Sequence, residues 1–159
     1  MESMEKEIEK KLLTGESKDA IWQELQNKKE AEKALFYLNN KAGLKERVRF
    51  QYANLTLALI LAFMTAKELI TLFSFGRLDI PFLTGLVVPI INVYILKEIL
   101  RFHRLGYQYL FVLTTLSLIL PKNHASLELS LSIAMITLSG FLYLRLFPKG
   151  KELKGILNN

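Results

Sequence analysis

Cysteine is missing from all 159 residues, which rules out disulfides, thiolate metal sites and thiol nucleophiles at once. Histidine is nearly missing too, with only His103 and His124. His124 and Glu128 lie at i, i+4 spacing, but two ligands do not make a zinc site; no metal and no cofactor is expected, and His124 is read as a solvated loop residue. His103 stands among arginines and is assigned to the headgroup layer. Gly-rich phosphate loops, HExxH helices and serine elbows do not occur. The first fifty residues lack the basic start, apolar core and small-residue cleavage site of a secretory signal. Membrane insertion is therefore expected to be driven by the first spanning segment itself.

Carboxylates are the next scarcity. Between Phe50 and Phe147 only Glu68, Asp79, Glu98 and Glu128 occur, in a stretch that is otherwise near-continuously apolar. Ahead of it, residues 1–49 hold eleven Lys+Arg and ten Asp+Glu, whereas residues 50–159 hold ten and five. Helices that are apolar on every side need lipid or a large surrounding protein to cover them, and the chain is too short to supply its own cover. The reading is an all-α polytopic membrane protein. It comprises an N-terminal soluble amphipathic helical segment over 1–49, a four-helix transmembrane bundle over 50–147 and a basic tail over 148–159. The spans fall at about 50–75, 81–100, 105–120 and 127–147.

Charge sets the number of crossings. Lys41, Lys45, Arg47 and Arg49 precede the first span, Arg101 and Arg104 join the second to the third, and Arg145, Lys149, Lys151 and Lys154 follow the fourth. Only Arg77 and Lys122 fall in the other loops. Four crossings put every basic cluster on one side, so both termini are expected in the cytoplasm and the spans in the cell (inner) membrane. The third span is the shortest, about 24 Å at ~1.5 Å per residue against a ~30 Å hydrocarbon core, and needs local thinning or a re-entrant path. In the first third, Met4, Ile8 and Leu12 recur every four residues, Gly15 suits a left-handed helix end and Ser17 an N-cap. Ile21, Trp22 and Leu25 share one side of a second helix, and Ala31, Ala34, Leu35, Leu38 and Ala42 continue its spacing to Gly43.

Several residues interrupt the apolar pattern. Lys67-Glu68 lies within the first span, where a charge at mid-bilayer costs at least ~2.5 to 3.5 kcal/mol and marks a functional candidate by default. The competing reading is that Lys67 snorkels and Glu68 pairs with it or with a neighbouring helix. Lys97-Glu98 repeats the dipeptide in the second span, and the segments 65–76 and 95–106 share Lys-Glu and a final Gly, a faint version of the inverted repeats of transporters. Pro89 leaves the carbonyl of Gly85 without its helical donor and predicts a kink, while Asn92 needs a partner away from lipid. Gly85, Pro89 and Asn92 mark a face for helix packing or a cavity. Ser130 and Ala134 are small residues four apart, suited to close packing or oligomerisation.

Two functions fit these features. The first is a small oligomeric channel or transporter with a polar pathway between subunits, lined by Asn92, Lys67, Glu68 and either Glu98 or Glu128. The alternative is a non-catalytic scaffold or regulator whose N-terminal helices bind a partner or drive oligomerisation. An enzyme acting on lipids ranks below both, because no nucleophile or acid–base pair has supporting groups. The expected partners are the lipid bilayer, further copies of the chain and a cytosolic protein at residues 1–43. Nucleic acid is set aside, since the Lys and Arg sit at the ends of apolar segments.

Overall fold

The computed structural model describes residues 4–28, 30–74, 80–119, 126–148 and 153. Arg77, Lys122, His124, Lys149, Lys151 and Lys154 therefore lie outside the described residues, and with them the His124–Glu128 pairing. Among the described residues the chain is all-helical and contains no strand.

Three short helices come first: α1 (Met4–Leu13), α2 (Lys18–Leu25) and α3 (Ala31–Asn40). Glycine closes α1. Gly15 sits at φ 91°, and its N–H bonds to the Leu12 carbonyl while the Glu16 N–H reaches back to Lys11, which satisfies carbonyls that a helix end leaves open. Ser17 then caps α2, its hydroxyl accepting the Ala20 N–H at 3.2 Å. The continuous spacing from Ile21 to Ala42 does not make one helix. The chain turns after Leu25, with the Lys28 N–H on the Leu25 carbonyl and the Ala31 N–H on that of Lys28. The turn folds α3 back, so that Ile8, Leu12, Ile21, Leu25, Ala34 and Leu38 close into one buried cluster. A straight helix would leave half of these side chains in water, and burying each large one is worth roughly 1.5 to 3 kcal/mol.

Five further helices follow, all but the second longer than these: α4 (Leu44–Ser74), α5 (Ile80–Gly85), α6 (Val87–Leu100), α7 (Arg104–Ile119) and α8 (Ser126–Leu146). The break between α5 and α6 falls at Leu86, one turn ahead of Pro89, where the missing proline N–H deprives Gly85 of its donor. α4 packs on α6 and α8, and α7 packs on the same two, so the four form an up-and-down bundle with α4 and α7 diagonal. Its core is Leu57, Leu61, Ile95, Ile99, Tyr107, Leu110 and Leu142, each at most 2% exposed. One polar link crosses this core. The Tyr107 hydroxyl donates to Asn54 Oδ1 at 2.6 Å, and Asn54 Nδ2 donates to the Ile99 carbonyl at 3.0 Å, which satisfies three buried groups together.

Three helices, Leu44–Ser74, Ile80–Leu100 and Ser126–Leu146, are long and apolar enough to cross a membrane, and only 17–22% of the residues in their apolar windows are buried by the protein itself. α7 has 16 residues and is not among them, yet it runs the length of the bundle. Its first residue bonds the Tyr143 hydroxyl at one end, and Ser117 lines a groove with Lys67 and Glu128 at the other.

The approach of α7 to α6 depends on Gly106. A β-carbon there would lie 2.8 Å from Glu98 Cβ and 3.0 Å from the Ile99 nitrogen, and relief needs the backbones to part. Gly106→Ala is expected to destabilise the bundle by about 1 to 3 kcal/mol, the usual cost of overpacking. Gly140→Ala, which meets only a Phe111 ring edge at 3.3 Å, should cost less. Thermal unfolding of both variants in detergent measures the difference.

Candidate functional site

Helical spacing gathers polar groups at the end of the bundle far from α1–α3. On α4, Met64, Lys67, Glu68, Thr71 and Leu72 share a face. Thr84, Gly85 and Val88 recur at one side of α5 and α6, and Glu128 and Ser132 stand one turn apart on α8. Together with Ser117 of α7 they line a groove of about 570 Å³. A β-carbon at Gly85 would meet Leu72 Cδ1 at 2.7 Å, so the side chain of Leu72 lies directly over the glycine. Lys67 forms an ion pair with Glu128, linking α4 to α8, and Asn92 Nδ2 donates to Glu68 Oε2 at 3.4 Å, linking α6 to α4. Both ionic side chains of the first pair are partly exposed, at 42% and 29%, so the groove is open to its surroundings.

Of the residues singled out in the sequence, Lys67, Glu68, Gly85, Asn92 and Glu128 thus meet at or beside one groove. Pro89 is buried at the start of α6. Lys97 is exposed, and Glu98 is buried at the opposite end of the bundle. Ser130 lies on an exposed face, where its hydroxyl bonds to the Ser126 carbonyl, and Ala134 is half-buried. The small residues that α8 turns inward are Ser132 and Ser139.

At the other end lies an ionic cluster that the sequence does not announce. Lys41, fully buried, reaches Glu9 Oε2 at 2.9 Å and Glu5 Oε1 at 3.3 Å. Arg47 stands 3.8 Å from Glu9 and Arg101 3.7 Å from Glu5. His103 joins them: its backbone pairs with that of Lys41, its Nδ1 is 2.8 Å from Glu98 Oε2, and its Nε2 is buried without a hydrogen-bond partner among the described residues. A ring nitrogen of His103 and one oxygen each of Glu5 and Glu9 lie within 4.8 Å of one another, the outline of a three-ligand cation site. The Lys41 ammonium already bonds both carboxylates, and Lys41, Arg47 and Arg101 balance Glu5, Glu9 and Glu98, so the cluster carries its own counter-charge. The spacing of Glu5 and Glu9, one turn apart on α1, was the available signal; their partner lies more than thirty residues on.

Burial by itself raises the Glu9 carboxyl, but the Lys41 ammonium, with Arg47 and Arg101 behind it, outweighs this and holds Glu9 below the ordinary carboxylate value. For His103, burial pushes the imidazole below its ordinary 6.5 and Lys41 adds to the effect, while Glu98 and Glu9 pull the other way. No protein-family model, no curated protein and no solved structure matches the chain.

The depressed His103 value has a definite sign. Unfolding returns His103 to its ordinary affinity for a proton, so the contribution to stability is at full strength above pH 6.5 and weakens as pH falls through that value toward the depressed one. Glu9 titrates below 4.5 and does not interfere in this window. The denaturant midpoint of the protein in detergent, followed by circular dichroism, is expected to fall between pH 7 and pH 5.5. His103→Gln should remove most of that step.

Proposed function

We propose that this protein is a multi-pass membrane protein whose copies assemble around a polar pathway for a small cation or polar solute, with the groove at Lys67, Glu68, Asn92 and Glu128 as one mouth of that pathway. The observation that carries the reading is that Lys67, Glu68 and Glu128, from two helices, line a single groove, with Asn92 of a third bonding Glu68 beside it. Ionisable groups within apolar helices are costly enough to be retained for a reason. Their charges sum to −1, which favours cations. The bundle below the groove is filled by Leu57, Leu61, Ile95, Leu110 and Met135, so passage through one chain would be blocked and a route between copies is the economical alternative.

The reading includes four crossings. α7 runs end to end beside three helices of sufficient apolar length, and a bilayer thinned along it would accept its 16 residues. Both termini then lie on one side, which the distribution of Lys and Arg makes the cytoplasmic side of the cell membrane. Apolar side chains exposed around the bundle, among them Leu59, Phe63, Ile90, Val112 and Ile133, would face lipid.

A second reading rests on α1–α3. This unit has its own core and presents Leu13 and Phe36 outward at 50% and 54% exposure, a surface suited to a cytosolic partner in a scaffold or regulator.

Flux separates the two. Glu68→Gln is expected to lower cation flux in proteoliposomes by about tenfold, the effect of ~1.4 kcal/mol on a barrier. Unchanged flux from a variant that still assembles removes Glu68 from the mechanism. Deleting residues 1–40 should leave flux intact under the pathway reading. Loss of partner capture from an intact bundle supports the scaffold instead.

A further inference from the structure

A second cavity, of about 880 Å³, opens at the end of the bundle beside α1–α3. It lies where the turn between α1 and α2, the first turns of α4 and α7 and the end of α8 come together. One part of its wall is apolar: Leu44, Val48, Leu146 and Phe147, with Val48 60% exposed beyond the rim. The rest is charged and balanced, with Lys18, Lys45 and Arg104 against Glu16, Asp19 and Glu46.

Lys18 is the group to explain. It is partly buried, its ammonium stands 5.8 Å from the centre of the Phe147 ring, and it forms no ion pair among the described residues. Burial takes its amine down to about 8; Glu46 and Asp19 oppose the fall, Arg47 and Arg104 deepen it. A partly desolvated amine beside two guanidinium groups is a place where an anionic oxygen is favourable. A ligand carrying negative charge alone would also meet three carboxylates. A ligand with a phosphate and an N–H-bearing cation would satisfy both signs, and hydrocarbon chains attached to it would leave along Val48 and Leu146.

We propose that this cavity holds the headgroup of one phosphatidylethanolamine molecule, its phosphate at Lys18 and Arg104 and its primary ammonium at Glu46 and Asp19, with the acyl chains running down the bundle between α4 and α8. The inference rests on the membrane reading given above and deepens it. It distinguishes among lipids by chemistry. Phosphatidylcholine offers no N–H to the carboxylates, and phosphatidylglycerol offers them no positive charge.

Native mass spectrometry of the full chain in mild detergent, titrated with equal amounts of the three lipids, tests it. One phosphatidylethanolamine should be retained per chain, with about tenfold preference over the other two, the scale of one charge-assisted hydrogen bond. Lys18→Gln should abolish retention. Glu46→Gln should shift preference toward phosphatidylglycerol, and circular dichroism should find both variants helical. Millimolar inorganic phosphate should not displace the lipid, whereas displacement would show that a free anion suffices and overturn the assignment. Equal retention of all three lipids, or unchanged retention by Lys18→Gln, also overturns it. Those outcomes leave the membrane reading standing; that reading fails separately if the chain stays monodisperse in buffer without amphiphile.

Discussion

An ammonium group withdrawn from water holds the two parts of this molecule in register. Lys41 is fully buried, and a lone buried charge costs several kcal/mol. α1 delivers Glu5 and Glu9 to it, so its ammonium is paired on two sides. The same contact fixes how α1–α3 meets the bundle. Lys41 pairs through its backbone with His103, the Ala42 N–H bonds to the Phe102 carbonyl, and Asn40 Oδ1 accepts the Leu105 N–H at 3.1 Å. Phe102 takes φ 57° to make this corner, a strained conformation for a bulky residue that surrounding hydrogen bonds hold in place. The connection between α6 and α7 is thus shaped by the docking of the N-terminal helices.

Polar groups in the bundle follow two regimes. Inside the core near α1–α3 one link is fully matched: Asn54, Tyr107 and the Ile99 carbonyl complete one another's hydrogen bonds, and Glu98 meets His103, whose Nε2 stays without a partner among the described residues. At the far end the matching is looser. Asn92 reaches Glu68 only at 3.4 Å, and the groove around them is partly open. Tight matching gives rigidity, while looser polar contacts exchange more readily with water. A packed layer of Leu57, Leu61, Ile95, Leu110 and Met135 separates the far groove from the other end.

Much of this was legible from local signals. Gly15 and Ser17 mark the boundary of the first two helices by their backbone and capping chemistry, and Gly85 with Pro89 marks the break in the second long apolar segment. Lys67, Glu68, Asn92 and Glu128 stand out because charge and amide are rare in such runs. What local pattern does not carry is distance along the chain. The turn after Leu25 exists because six side chains from three helices close one core, not because of any breaker residue. Lys41, in Asn-Asn-Lys-Ala-Gly, looks like any surface lysine, and its burial depends on carboxylates 32 and 36 residues earlier. α8 is apolar all round, so its sequence does not say which side faces inward, and the inward small residues are Ser132 and Ser139.

The link between Lys67 and Glu128 also bears on biosynthesis. The two partners are separated by 61 residues, and synthesis proceeds from the N-terminus, so α4 leaves the ribosome while the carboxylate that will meet its ammonium does not yet exist. Until α8 arrives, the first long helix carries an ammonium without this neighbour. The α4–α8 ion pair is therefore one of the last contacts that this bundle can form.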